Sequence, residues 1–237
     1  MKPFLLRLVA CLFLCVSLNT FAALSIRDLD GDWSNGHEGV YDDVLAITWL
    51  ADSNYAKTSG FDSDGKVALQ KAKDWANDLT YSGFSAWRLP TGALYDATCE
   101  YQPSSQHTGN YSYGLGCNNS ELGNLFYSSL SGQSGISILE ESNSDISYFA
   151  GITQADPSYL LDISLPQAAG GDTFNFYIGP TGIGAGATWY GSPHNEHKVW
   201  LVHDGDIGAA VVPIPAAAWL FGSALAGLLV ARRKHKK

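Results

Sequence analysis

The segment "GFSAWRLPT", residues 83–91, combines a turn, a short strand and the end of that strand. Gly83 suits the turn, and Trp87 and Leu89 recur with the period of two that places side chains on one face of a strand. Pro90 ends the strand because proline has no backbone N–H to donate. We therefore predict a buried strand here and assign to the core the tryptophans Trp49, Trp75, Trp87 and Trp200.

An amphipathic helix is predicted immediately before this segment, over residues 66–79. Its apolar residues recur at helical spacing, while lysines and aspartates occupy much of the other face; they are Ala68, Ala72, Trp75, Ala76 and Leu79. Asp64 is placed to cap the N-terminus of the helix with its carboxylate. We expect Trp75 and Leu79 to pack inward.

Short strands and long loops are predicted for most of the remaining chain. Alternating residues indicate a strand over 44–49, and a second helix is indicated over 120–130. Three further strands are predicted in "YLLDISL", "DTFNFYIG" and "HKVWLVHDGD", with a glycine-rich loop of no regular period between the last two. No internal repeat is visible. Few helices among short strands predict the α+β class.

An apolar segment at the start of the chain is typical of a secretory signal peptide over residues 1–22. Lys2 and Arg7 provide the positive start, and small residues follow the apolar run. Signal peptidase would cut after Ala22 or Ala23. We therefore expect residues 23–208 to form one exported domain.

The last segment, residues 209–237, carries a second apolar run over 216–231, followed by six basic or histidine residues. Basic residues stay on the cytoplasmic side of a membrane, so this run can hold the chain with its body outside. A permanent membrane anchor is one interpretation. The run follows a distinctive motif of Val212, Pro213, Ile214 and Pro215.

This tail, "VPIPAAAWLFGS" with its apolar run and basic end, resembles the PEP-CTERM sorting signal in its Val-Pro-Leu-Pro-Ala form. Ile214 stands where that signal usually has Leu. The resemblance implies that the tail anchors the chain transiently and that an exosortase-type transpeptidase processes it near the proline motif. The protein would then reach the cell surface or extracellular matrix.

The predicted exported domain is strongly acidic. It contains seven of the 14 Lys and Arg residues and all 23 Asp and Glu residues, which gives a formal charge of −16. Such a surface repels nucleic acid and suits divalent cations, so we expect no nucleic-acid partner. The alternative is that acidity only keeps an exported protein soluble.

Two cysteines remain in this domain after Cys11 and Cys15 leave with the signal peptide. An even pair in an oxidising compartment predicts a disulfide between Cys99 and Cys117. In the chain-entropy account, closing this loop contributes about 3 kcal/mol.

The central region resembles the DUF1566 family, the C-terminal domain of the Lcl collagen-like adhesin. The resemblance is carried by "VYDDVLAITWLADSNYAKTSGFDSDG", the helix, "GFSAWRLPT", "GCNNSELGNLFYSSL" and "VWLVHDGDIG". It implies a C-type lectin-like fold, with a small twisted antiparallel sheet, two helices and long loops that carry binding. Residues 44–49 and 199–203 would then lie close together.

The adhesin's domain is regarded as a binder of sulfated glycans, which requires a basic surface. The present domain has only seven Lys and Arg residues, so we expect a neutral glycan or a surface protein as ligand. Exposed aromatic rings stack on sugars and anchor protein interfaces. The candidate ligand-binding residues are Tyr111, Tyr113, Trp189, Tyr190, His194 and Asn195. The alternative is that these aromatic rings cover the core beneath long loops.

Calcium is the cofactor that the acidic turns suggest. Asp62 and Asp64 could ligate Ca²⁺, although a turn explains them equally well. The repeat of Asp28, Asp30 and Asp32 fails as a helix-loop-helix calcium motif, since Trp33 and Gly39 replace the required Gly and Glu.

The histidine-rich segment does not predict a zinc site. His194 and His197 lack the helix that would support ligand spacing, and we expect them to be solvated.

No catalytic serine motif or free nucleophilic thiol is evident, so the sequence predicts a non-catalytic binding module. An enzyme of another type is the least favoured interpretation. A structural component of an extracellular matrix, without a discrete ligand, is the alternative function.

Overall fold

The computed structural model describes residues 24–103, 111–155, 157–163, 173–179, 185–192 and 194–210. The predicted signal peptide, the proline motif of Val212 to Pro215 and the apolar run 216–231 lie outside the described residues. The described part is α+β, with mostly strands and few helices, as the sequence predicts.

The first sheet contains five antiparallel strands. They are β1 (Leu24–Asp28), β2 (Gly39–Asp42), β3 (Ile47–Leu50), β10 (Val202–Asp204) and β11 (Ala209–Ala210), in the order β10-β3-β2-β1-β11. Val202 is paired with Trp49 and Asp204 with Ile47, so the predicted proximity of residues 44–49 and 199–203 is confirmed. The sheet also includes the first two residues of the segment assigned to the tail.

The second sheet contains six strands. They are β4 (Lys66–Ala68), β5 (Gly114–Leu115), β6 (Ser158–Leu161), β7 (Thr173–Tyr177), β8 (Ala187–Gly191) and β9 (Glu196–Lys198), in the order β4-β9-β6-β7-β8-β5. All its strand pairs are antiparallel except β6 with β9. The chain leaves this sheet at Lys198 and enters the first sheet at Val202, so these few residues connect the two sheets.

Consecutive residues of the chain enter two separate hydrophobic clusters. Trp49, Tyr159 and Trp200 belong to the larger cluster, whereas Leu50, Leu160 and Leu201 belong to the smaller one. Successive side chains of a strand point to opposite faces, which explains this division in β3 and β6. In the larger cluster Trp200 contacts three other rings at centroid distances of 5.0–5.4 Å.

The main helix is shorter than predicted. Residues 66–68 form β4 instead, because Val67 pairs with His197 of β9, and helix α2 covers Leu69–Asp78. Asp64 is therefore not its cap; the Asp64 carboxylate accepts the Lys66 N–H at 3.0 Å within the preceding turn. A single helical turn, α1 (Tyr55–Thr58), precedes β4.

The prediction that Trp75 belongs to the core is wrong. Helix α2 buries the small Ala72 and Ala76, while Trp75 and Leu79 are only half-buried. The Trp75 ring instead stacks on Phe61 with centroids 4.6 Å apart. Three other tryptophans are buried as predicted, namely Trp49, Trp87 and Trp200.

The second predicted helix is confirmed. Helix α3 (Glu121–Asn124) continues as a wider π-helical turn over Leu125–Ser129. Ser120 caps it, since its hydroxyl oxygen accepts the Gly123 N–H at 2.9 Å.

Several strand predictions need correction. The predicted strand through Trp87 and Leu89 is reduced to an isolated bridge between Arg88 and Val202, although both side chains are buried. Residues 43–46 form a turn and not the start of β3, because the Asp42 carboxylate accepts the N–H groups of Val44 and Leu45. The glycine-rich loop contains strand β8, whose residues pair with β7 over its full length. Among the described residues, no helix is long and apolar enough to cross a membrane.

Candidate ligand-binding site: an aromatic cluster beside the disulfide

The predicted disulfide is present and closes a loop beside the second sheet. Cys99 and Cys117 are bonded, with their Cα atoms 4.2 Å apart. The closed loop carries Tyr101, Tyr111 and Tyr113. The bond therefore restrains the segments from which these rings project.

A buried carboxylate holds the base of this loop. Asp96 is 3% exposed, and its two oxygens accept hydrogen bonds from backbone and side-chain groups of Thr98 and Asn119. The Asp96 N–H in turn donates to the Ser112 hydroxyl at 3.1 Å. Because all these groups are satisfied locally, Asp96 has a structural role at the base of the loop.

The structure brings the four predicted aromatic residues together with a fifth, Tyr101, into one cluster, which we call the aromatic cluster: Tyr101, Tyr111, Tyr113, Trp189 and Tyr190. Tyr113 contacts Trp189 at 5.2 Å and Tyr190 at 5.3 Å between ring centroids. Tyr111 contacts Tyr190 at 4.3 Å. Tyr101 stacks on Tyr113 at 4.9 Å with the planes inclined by 24°. Strand β5 pairs with β8, and this pairing brings the disulfide loop against Trp189.

The members of the cluster differ in exposure. Tyr111 and Tyr113 are buried, so these two rings take the alternative role of covering the core and supporting the others. Trp189 and Tyr190 are half-buried. Tyr101 is not among the ligand-binding residues predicted from the sequence. Its ring is 41% exposed and is the outermost of the cluster. The rings open to a ligand are therefore Tyr101, Trp189 and Tyr190.

Gly114 permits the stacking of Tyr101 on Tyr113. Its φ of +96° is in a region that favours glycine, and a Cβ there would lie 2.7 Å from the Tyr101 ring. A side chain at position 114 would therefore displace the outermost ring of the cluster.

A carboxylate lies beside the exposed ring. A hydrogen bond with Glu100, together with its negative charge, raises the pKa of Tyr101 above its usual value. Glu100 also accepts the Leu115 N–H at 3.4 Å. The cluster thus presents an aromatic face with an adjacent acceptor, the combination that sugar hydroxyl groups require.

His194 and Asn195 lie in the turn that follows β8, beyond the aromatic cluster. Both are exposed, and the Asn195 N–H donates to the Ser192 carbonyl at 2.9 Å. The Asn195 side chain covers Gly191, where a Cβ would lie 2.4 Å from its nitrogen. Among the described ring contacts of the cluster, none involves His194.

Asp62 and Asp64 are placed in a hydrogen-bonded turn. The Asp62 carboxylate accepts the Asp64 and Gly65 N–H groups and lies 3.5 Å from Lys71. The hydrogen bond from the Asp64 backbone N–H is the main cause of the lowered pKa of Asp62. The turn and its neighbouring lysine therefore account for both carboxylates.

Histidine does not enter any metal-ligand grouping of the described residues. His197 bonds through Nδ1 to the Ser158 hydroxyl at 2.9 Å, and His203 packs edge-on against Trp87. The groups of three candidate ligands in the described part are Asp96 with Cys99 and Cys117, and Asp28 with Asp30 and Glu38. The first cannot serve, since its sulfurs are joined in the disulfide.

Compared with known proteins, the chain matches no family model, no curated protein and no solved structure. The chemistry assigned to the aromatic cluster therefore rests on its own residues.

Proposed function

We propose that this protein is an exported, surface-sorted binding module without catalytic activity, and that its aromatic cluster receives a neutral carbohydrate. The observation that carries the proposal is the assembly of Tyr101, Trp189 and Tyr190 into one partly exposed aromatic face. Aromatic faces stack on the apolar faces of sugar rings.

The charge distribution favours a neutral ligand over a sulfated one. Four of the seven basic residues of the domain are ion-paired with local carboxylates; they are Arg27, Lys71, Lys73 and Arg88. Arg88, for example, binds both Glu121 and Asp204 at 2.6–2.7 Å. Basic side chains that are already ion-paired are poorly placed to bind sulfate groups. The formal charge of −16 on the domain would also repel a sulfated ligand.

A C-type lectin-like fold and membership of the DUF1566 family are part of this proposal. Two features support them: the paired terminal strands and the two main helical segments. Export is supported by the sequence of residues 1–22 and by the disulfide, which persists in oxidising compartments. Sorting by an exosortase-type transpeptidase rests on the motif at Val212 to Pro215.

The test is a glycan array probed with the full chain and with two variants. Tyr101→Ala removes the outermost ring of the cluster. Trp33→Ala is the matched control, because Trp33 is 40% exposed but lies in the β1–β2 loop of the other sheet. We expect saturable binding of uncharged glycans by the wild type and by Trp33→Ala. Since stacking contributes about 1 kcal/mol or more, Tyr101→Ala should bind at least about fivefold more weakly.

The outcomes separate the candidate functions. Equal binding by Tyr101→Ala and the wild type would contradict the aromatic site. A flat array combined with self-association of the full chain would favour the alternative, a structural matrix component without a discrete ligand. Binding confined to sulfated glycans would contradict the argument from charge.

A further inference from the structure

Three carboxylates converge at the end of strand β1. One oxygen from each of Asp28, Asp30 and Glu38 lies within 4.8 Å of the others. Asp28 is the last residue of β1, Asp30 lies in the following loop, and Glu38 directly precedes β2. We call this group the β1–β2 carboxylate cluster.

Asp28 has one oxygen that the protein leaves without a partner. Its Oδ1 accepts the backbone N–H groups of Asp30, Gly31 and Asp32 at 2.6–3.2 Å. Asp28 as a whole is only 2% exposed, and its Oδ2 is buried without a hydrogen-bond partner in the described part of the chain. A buried charged oxygen without a partner is costly, so this atom indicates a missing ligand.

The charge of the cluster is not balanced by the nearest arginine in the sequence. Arg27 directs its guanidinium to Asp206, with bonds of 2.6 and 2.9 Å. The negative charge also affects the neighbouring phenol of Tyr81. Its pKa is raised to about 12, mainly by burial and then by charges that include those of Glu38 and Asp30. Three carboxylates this close repel one another unless a cation joins them.

We propose that Asp28, Asp30 and Glu38 bind a divalent cation of the calcium type. Oxygens on opposite sides of Ca²⁺ are separated by about twice its bond length of 2.3–2.6 Å. The 4.8 Å limit within the cluster therefore fits ligation of one ion. An ion here would take the free electron pairs of Asp28 Oδ2. The site lies in the first sheet and does not depend on the carbohydrate proposal.

The local hydrogen bonds hold the three ligands in place. The Glu38 carboxylate accepts the Leu29 N–H at 2.9 Å, and Asp30 Oδ2 accepts from the Asn35 amide at 2.8 Å. These bonds use part of each carboxylate and leave further electron pairs for an ion. Glu38 occupies a position that the helix-loop-helix motif does not use, and Trp33 and Gly39 stand where that motif requires Gly and Glu, so motif comparison rejects this loop.

Calorimetric titration of the full chain with CaCl₂, after EDTA treatment and dialysis, tests the proposal. We expect one site with a Kd on the order of 10⁻⁴ to 10⁻³ M, the range of extracellular calcium modules. The double variant Asp30→Asn/Glu38→Gln keeps an oxygen acceptor for each local N–H bond but removes two charges. It should bind Ca²⁺ at least tenfold more weakly. The matched control Asp62→Asn/Asp64→Asn should bind as the wild type does.

Amide NMR of the unmodified full chain locates the ion without any variant. Added Ca²⁺ should shift the amide signals of residues 28–38 in proportion to saturation. No binding at 10⁻² M Ca²⁺, shifts confined to other segments, or undiminished binding by the Asp30→Asn/Glu38→Gln variant would overturn the proposal.

Discussion

The fold changes the ionisation of Tyr81. Burial is the main cause that raises its pKa to about 12, and the charges of Glu38, Asp52 and Asp30 add to it. The neutral phenol is therefore favoured in the folded protein, while the unfolded chain retains a pKa of about 10. The stabilisation is complete below pH 10 and is lost as the pH rises towards 12.

Spectrophotometric titration at 295 nm in calcium-free buffer should show this effect. We expect one phenol of the folded protein to ionise near pH 12, and the Tyr81→Phe variant to lack that step. Tyr81→Phe should also lose less stability between pH 10 and pH 12 than the wild type does. Ionisation of Tyr81 near pH 10 in folded protein would contradict the burial described for its ring.

Partners of single residues are the features that the sequence predicts least well. From the sequence alone, Asp42 and Asp43 could be solvated or could pair with Arg88. Arg88 instead binds Glu121 and Asp204, which are 33 and 116 residues away. These contacts raise the pKa of Arg88. Such pairings depend on the tertiary path of the chain, which periodicity within one segment does not contain.

At the scale of elements, helix α2 shows how packing overrides a hydrophobic pattern. The spacing of its apolar residues predicts the correct buried side, but Ala72 and Ala76 are the residues that are buried in the smaller cluster. Trp75 lies at the margin, against Phe61 and Tyr55. A large ring at the edge of a helix face can satisfy the same spacing as a core residue.

Two truncations distinguish the margin from the core. Trp87 is 2% exposed, so Trp87→Ala should lower the free energy of unfolding by about 3–5 kcal/mol. Trp75→Ala should cost clearly less, because part of its apolar surface is already in water. Urea denaturation of both variants measures the difference. Equal losses would show that Trp75 is a core residue after all.

The candidate site could be predicted in part from the same kind of pattern. The sequence identifies Tyr111, Tyr113, Trp189 and Tyr190 as one group, and the structure brings these rings together. It does not predict that β8 is a strand, because its glycine-rich flanks hide a short segment paired along β7. It also does not distinguish the supporting rings from the exposed ones, since exposure depends on which segment covers them.

At the scale of the whole molecule, the two sheets are joined by a short continuous segment. Val199 and Leu201 enter the smaller cluster and Trp200 enters the larger one, so residues 199–201 fix both cores. The Trp200 indole N–H also donates to the Leu50 carbonyl at 2.8 Å. The sequence predicts a strand here, but the passage from one sheet to the other is a tertiary feature.

Export is the central claim of the proposal, because a disulfide such as that between Cys99 and Cys117 persists in oxidising compartments. The intact mass of the non-reduced protein, isolated from the envelope and medium of the producing cells, tests it most directly. We predict an N-terminus at Ala23 or Leu24, a C-terminus near the proline motif at 212–215, and a mass that requires one disulfide. A protein that still runs from Met1 to Lys237 with two free thiols at Cys99 and Cys117 would contradict the claim.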